Sequence, residues 1–190
     1  MRPAVLGLDL SLTASGLAMI DEDGDVFTHR VLTKGKAGAT VTQTADRIGR
    51  VVREITQWIL EDALLGRFQL AVIEAPSFGS KGGAAHERGG VWWGVAVVLA
   101  EVGIPIATVA PKTRAIYAVG HGNGKGKEGK AEVFAATKLR YPWTDLADDN
   151  EGDALLLAAM GARHLDHPIE THGTLPATHL RAMRSARWPE

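Results

Sequence analysis

The chain carries carboxylates where a folded protein ordinarily places apolar side chains, and these residues have chemistry to offer. Asp9 stands inside Val5-Leu6-Gly7-Leu8-Asp9-Leu10, a short run followed by Ser11, Thr13 and Gly16. An apolar, β-compatible run of this length reads as a buried strand. Glu74 ends a second run, Phe68 to Ile73, which Pro76 closes because proline cannot continue a ladder. An unpaired buried carboxylate is costly, so such groups pair, shift their pKa or bind a cation. For Asp9 a structural role, accepting hydrogen bonds from the Ser11 and Thr13 region, is the competing explanation. A third acidic group lies in Asp148-Asp149-Asn150-Glu151-Gly152-Asp153-Ala154-Leu155. On a helix, Asp149 and Asp153 share a face, and Asn150 and Asp153 nearly do. Asp148 and Asp149 suit the positive end of a helix dipole, whereas Asp153, just before a leucine run, is not explained that way.

Carboxylates without any cysteine, and histidines without ligand spacing, describe an all-oxygen site. That donor set favours Mg²⁺, with Mn²⁺ as its substitute, over Zn²⁺. Two such ions can clamp the attacking and leaving oxygens of a phosphodiester and activate water. The net charge of −1 gives no global pointer to nucleic acid, but its distribution fits a phosphate substrate. Lys112, Arg114, Lys125, Lys127 and Lys130 face a single acid, Glu128, whereas Asp145, Asp148, Asp149, Glu151 and Asp153 lie in a stretch without a basic residue. Two solvated surface loops would look the same.

At 190 residues and 45% apolar content, the chain is expected to form one domain with a sizeable core. The absence of cysteine rules out a disulfide framework and fits a reducing compartment. No signal pattern opens the chain and no apolar run reaches membrane-spanning length, so the cytoplasm is the expected location. Strands are predicted at 3–10, 15–21 and 26–32, with an Asp-Gly hairpin turn between the last two. Val41, Ala45, Ile48, Val52, Ile55 and Ile59 then mark an amphipathic helix capped by Thr40, with Arg47, Arg50 and Arg53 on its solvated face. A strand at 68–73 precedes a helix at 84–102 so apolar that Trp92 and Trp93 belong to the core or to a subunit interface. A strand at 104–110, a short helix at 112–119, a glycine-rich loop at 120–127, a helix from 129 or 130 to 141 and a helix at 149–164 complete the order. After Pro168 the chain reads as irregular, with Arg181, Arg184 and Arg187. This succession describes one mixed sheet with helices on its faces.

Five segments occur in an order that resembles the RuvC family of Holliday junction resolvases, within the RNase H-like (retroviral integrase) superfamily. They are Gly7-Leu8-Asp9-Leu10-Ser11-Leu12-Thr13-Ala14-Ser15-Gly16, Val72-Ile73-Glu74, Val109-Ala110-Pro111, the glycine-rich loop leading into Lys130-Ala131-Glu132-Val133, and Asn150-Glu151-Gly152-Asp153-Ala154-Leu155. The resemblance covers residues 4–165 and implies an α/β, RNase H-like fold. The implied sheet is five-stranded and mixed, three antiparallel strands and then two parallel ones, flanked by helices. It also implies a nuclease domain over 1–167, followed by a basic C-terminal tail at 168–190. The implied activity is that of a homodimer that nicks two strands of a four-way DNA junction symmetrically, using Mg²⁺, with two ions per site. Asp9 and Glu74 match the family's first two metal ligands and Asp153 the last. The family has Asp or His three residues before that last Asp; here Asn150, through its carbonyl oxygen, or Asp149 takes the part. Lys130 resembles a basic residue near the scissile phosphate. A second family lysine has no counterpart: Ala115 falls there, with Lys112 and Arg114 beside it. Phe78 lies in the loop where family members present an aromatic to the junction centre; stacking on an unpaired base and packing back on the core are its two readings. Lys81, Lys125 and Lys127, with Lys112, Arg114 and Lys130, would contact DNA and make affinity salt-sensitive. The loop at 120–129 looks longer than in cellular members, so the chain resembles a phage-type relative.

Other readings are a broader branched-DNA nuclease, an actin-like or P-loop nucleotide-binding ATPase, and a non-catalytic junction-binding protein in which Asn150 marks a decayed site. Gly124-Lys125-Gly126-Lys127-Glu128-Gly129-Lys130 fits half of a P-loop, but Ala131 stands where Ser or Thr should hold Mg²⁺. An actin-like kinase needs a longer chain. Three intact carboxylates oppose the non-catalytic reading. No sequence feature names a helicase partner.

Overall fold

Period-two alternation decides which core each strand side chain enters. In β1 (Ala4–Asp9), Ala4, Leu6 and Leu8 join one core while Val5 joins the other, and Gly7 and Asp9 follow Val5. In β4 (Phe68–Glu74), Ala71 and Ile73 join the first core and Leu70 and Val72 the second, so Glu74 falls on the same side as Asp9. The computed structural model describes residues 2–61, 68–76, 85–122, 126–170 and 175–190. With β2 (Ala14–Ile20), β3 (Val26–Leu32) and β5 (Ile106–Val109), these strands form one sheet in the order β3-β2-β1-β4-β5. The pairs β1–β2 and β2–β3 are antiparallel, and β1–β4 and β4–β5 parallel. This is the expected architecture: a five-stranded mixed sheet flanked by helices.

On one face, α1 (Val41–Glu61) and α2 (Ala85–Glu101) bury Val51, Ile55, Ile59, Val91, Val95 and Leu99. Thr40 and Gln43 cap α1 reciprocally, each side chain accepting from the other's backbone N–H, at 3.2 and 3.1 Å. On the other face lies α5 (Asp149–His164), buried from Glu151 to Ala162. It is flanked by α3 (Pro111–Val119) and α4 (Gly126–Arg140). The helix α4 begins at Gly126, earlier than the sequence suggests, so Lys127 belongs to its first turn. Two glycines set the height of α5 above the sheet. A Cβ on Gly7 would lie 2.1 Å from the Ala154 carbonyl oxygen, and one on Gly16 would lie 2.0 Å from that of Asn150.

Two elements depart from expectation. Arg47 is not simply solvated: it donates to Thr33 Oγ1 and to the Leu12 carbonyl, at 3.0 and 2.9 Å, tying α1 to the turn after β1. Nor is the described end of the chain irregular. The short helix α6 (Ala177–Leu180) and a 3-10 turn (Arg181–Ser185) pack through buried Ala182. Arg187 then exchanges backbone hydrogen bonds with Thr108 at the open edge of β5, and Trp188 stacks on His164. Upstream, buried Glu170 accepts hydrogen bonds from Tyr117, Tyr141 and Arg163, at 2.6 to 2.8 Å. Among the described residues no helix is long and apolar enough to cross a membrane.

If Gly7 sets the seat of α5, Gly7→Ala forces helix and strand apart. Urea denaturation should show a loss of about 1–3 kcal/mol or more, as overpacked cores do; unchanged stability would mean that α5 is free to rise.

Candidate active site

The carboxylates arrive on separate elements. Asp9 and Glu74 end neighbouring parallel strands directly after the paired residues Leu8 and Ile73. Strand carboxyl ends are where open α/β sheets place ligands. Asp153 descends from α5, and Arg114 comes from the first turn of α3, whose Pro111 presets the helical start after β5. Lys130 projects from α4. Asp9, Glu74, Asp153, Arg114, Lys130 and Asn150 line a single cavity of about 440 Å³. Trp92, which donates its indole N–H to the Glu74 carbonyl at 2.9 Å, and Arg88 form part of its wall.

Arg114 organises the charges. Its Nε donates to Glu74 Oε2 at 2.6 Å and its Nη1 to Asp153 Oδ1, with the Arg114 side chain only 10% exposed. Burial pulls the guanidinium pKa down, but Glu74, Asp153 and Asp9 outweigh burial and leave it above its ordinary value. Among the described residues Asp9 has no such partner. Ser11 and Thr13 bond to each other, and the Ser11 backbone bonds the Ser15 hydroxyl, instead of either bonding Asp9. Burial, then the charges of Glu74 and Asp153, push the Asp9 carboxyl up to about 8. Burial also raises Asp153, to about 7, against the opposing pull of Arg114.

The acidic stretch divides into roles. Asp148 is the α5 cap, accepting from the N–H groups of Asn150 and Glu151 at 3.0 and 3.1 Å. It also pairs with Arg30 at 2.9 Å. Burial would raise the Asp148 carboxyl, but the Arg30 hydrogen bond and the cap contacts hold it below its ordinary value. Glu151 turns away from the cavity to accept from Thr28 and the Ala147 N–H. Asp149 pairs with Lys130 at 3.0 Å. Asn150 lines the cavity and donates its amide to Asp148 at 3.1 Å, whereas Asp149 is not among the lining residues. Lys112 and Lys127 are exposed and outside that lining, and Phe78, Lys81 and Lys125 lie outside the described residues.

The donor types suit a hard divalent cation. The arrangement does not: among the described residues no three acidic or histidine side chains gather closely enough to hold one. Arg114 stands between two of the three carboxylates instead.

Sequence reasoning placed Arg114 among surface DNA contacts and did not single out Trp92 or Arg88 as site walls. It also passed over a second cavity, of about 470 Å³, lined by Lys34, Lys36, Arg47 and Arg50 beside the turn that follows β1. The cluster of cations around Thr33 to Thr40 and on one α1 face was its only sequence signal.

The raised carboxyls make metal-free stability depend on pH. Asp9 and Asp153 hold protons in the folded chain well above their ordinary value of 3.8. The folded state therefore binds more protons than the unfolded one, and stability falls as pH rises from about 4 to about 8. In EDTA, Asp9→Asn should melt higher than the parent at pH 8, by at least the ~2–4 °C that 1 kcal/mol gives a chain of this size, with little difference at pH 5. A pH-independent melting temperature would show Asp9 ionised at no cost.

Neither a protein-family model nor a curated protein matches the chain. Solved structures do. Thermus thermophilus RuvC in complex with a Holliday junction substrate superposes with a TM-score of 0.63 and 18% identity, over 98% of this chain and 99% of that one. A second T. thermophilus RuvC structure superposes with a TM-score of 0.60 and 21% identity, over 97% and 99% of the two chains. At these identities the likeness is one of fold: the sheet order, the helices on both faces and the length are those of an RNase H-like domain.

Proposed function

We propose that this chain is a structure-selective endonuclease that hydrolyses phosphodiesters in branched DNA, with the four-way junction as its substrate. The observation that carries this reading is the convergence of Asp9, Glu74 and Asp153 in one cavity walled by Arg114 and Lys130. The likeness to a RuvC bound to a Holliday junction substrate, over the full length of both chains, supports it. Of the two choices for a further oxygen donor, the cavity position of Asn150 favours Asn150 over Asp149.

A divalent cation, when bound, would supply Lewis acidity at the phosphate and an activated water. The chain's own groups prepare the pocket. Asp9 would take part in holding such an ion as a carboxylate, from the end of β1 on the cavity wall. Arg114 fixes the directions of Glu74 and Asp153. Lys130, 63% exposed at the mouth, offers Nζ to a phosphate oxygen. Lys34, Lys36 and Arg50 extend the basic surface along which a DNA arm would run, and would make affinity fall with salt. The P-loop alternative loses its context, because a helix, α3, and not a strand leads into the glycine-rich segment.

Paired nicking needs two copies, and α2 offers a surface for them. Its buried side holds Val91, Val95 and Leu99, while Trp93 and Val97, one turn apart, are 65% and 49% exposed. We place the homodimer contact there.

A synthetic four-way junction should be cut by paired symmetric nicks with Mg²⁺ and not with EDTA, beside an uncut linear duplex. Asp9→Asn should lower that rate at least about 100-fold, the scale on which loss of one electrostatic contributor shows, while leaving junction binding intact. Cleavage of all branched DNAs would broaden the substrate; binding without any metal-dependent cleavage would make the protein non-catalytic. Trp93→Glu should convert a dimer to a monomer in light scattering and abolish paired nicks; a dimer that survives it uses another face.

A further inference from the structure

We infer that the second cavity, beside the turn after β1, is a phosphate site that holds one backbone phosphate of the DNA strand away from the bond that is cut, and so sets the register of cutting. The inference rests on the nuclease reading, which supplies the strand. Its basis is the charge of the lining. The cavity encloses about 470 Å³, and its charged residues are Lys34, Lys36, Arg47 and Arg50 against the single carboxylate of Glu87. Asp46, the neighbour of Arg47 in the chain, is not among the lining residues. None of the four cations makes an ion pair among the described residues. Like charges gathered without counter-charges repel one another and concentrate anions from solution.

Arg47 gives the cavity a fixed donor. Its Nε and Nη2 donate to Thr33 Oγ1 and to the Leu12 carbonyl, at 3.0 and 2.9 Å. Both acceptors are neutral, so the guanidinium is held in place with its charge uncancelled. Its Nη1 makes no hydrogen bond among the described residues. It lies beside Gly35, another lining residue, where a Cβ would stand 2.6 Å from it. A guanidinium with one edge tied down and another unspent presents donors in set directions, which suits phosphate oxygens. Lys34, Lys36 and Arg50 are exposed and able to close on the same anion.

The place of the cavity ties it to the cut. Leu10 and Ser11 line the carboxylate cavity and Leu12 the basic one; on α2, Arg88 lines the first and Glu87 the second. Adjacent Cα atoms are about 3.8 Å apart, and a DNA strand advances about 3.4 Å per nucleotide along the helix axis. A strand with a phosphate at the carboxylates therefore reaches the basic cavity within a few nucleotides.

The test uses four-way junctions in which a single uncharged methylphosphonate replaces each phosphate in turn near the cut. Binding is measured in EDTA and cleavage in Mg²⁺, with the full-length parent and with the double variant Lys36→Ala, Arg50→Ala, which alters exposed residues only. One methylphosphonate position away from the cut bond should weaken binding by the parent about tenfold, the scale of one charge-assisted contact. The double variant should lose about as much on unmodified DNA, lose no more at that position, and bind with a salt slope shallower by about 1. Its cuts should spread over neighbouring bonds. Losses that simply add at every position would overturn the phosphate site, and parent cleavage would then leave the nuclease reading standing. A coupled position with unchanged cut sites would overturn the role in register. A coupled position on a junction that is bound but never cut would uphold the phosphate site and overturn the nuclease reading. No binding to any junction would overturn both.

Discussion

Three carboxylates share one half-closed pocket, and the surrounding structure answers their mutual repulsion. Two unit charges 4 Å apart interact by about 1 kcal/mol in water and by about 4 kcal/mol at the effective dielectric near a protein surface. The chain meets that repulsion in two ways. Glu74 and Asp153 share the guanidinium of Arg114, whereas Asp9, lacking such a partner, holds a proton to about pH 8. Removing one member of a buried pair costs about 3–5 kcal/mol, because the other charge is left uncompensated. The Arg114 pairs therefore make the position of α3 against the sheet end a condition for the whole site. A second cation, Lys130, spends its closest contact on Asp149 at the rim and leaves the interior to Arg114.

The pocket is assembled by backbone periodicity before any side chain chooses a partner. Asp9 and Glu74 face the same way because β1 and β4 run parallel with Leu8 opposite Ile73. Asp153 reaches them because α5 lies against the sheet at glycine distance: any Cβ at Gly7 or Gly16 would strike an α5 carbonyl oxygen. The same close seat explains why α5 is buried nearly all round, from Glu151 to Ala162, with its polar members each assigned a task. Asp148 caps the helix, Glu151 ties it to Thr28 and Ala147, and Asp153 enters the cavity.

Much of this was legible in the residues. Alternation and the turn signals placed every described strand, and the three- and four-residue spacings placed α1, because both patterns are dictated locally. Asp9, Glu74 and Asp153 stood out for a related reason: each is a charge inside an apolar pattern that leaves no room for one. Arg114 was visible but misread. Its neighbours Lys112 and Lys130 suggested a solvated basic stretch, and nothing local says which face of a nine-residue helix turns inward. The same limit applied to Arg47, whose solvent-facing position in the helical pattern concealed its contacts with Leu12 and Thr33. The end of the chain was read as irregular because its order comes from long-range partners, Thr108 for Arg187 and His164 for Trp188, which lie far away in sequence.

A covalently attached cation differs from an exchangeable one in what it does when the solution holds no metal. The Arg114 charge stays at the site in every buffer, and its planar fork fixes one oxygen each of Glu74 and Asp153 in direction as well as in charge. Glu74 and Asp153 are then held in place by the chain itself. Asp9 is the group left to respond, since of the three carboxyls it is the one without a hydrogen-bonded partner among the described residues, and burial with the charges of Glu74 and Asp153 raises it to about 8. In this arrangement rigidity and responsiveness are divided between neighbours. The elements that carry Arg114, Glu74 and Asp153 hold the frame, and the end of β1 carries the switchable charge.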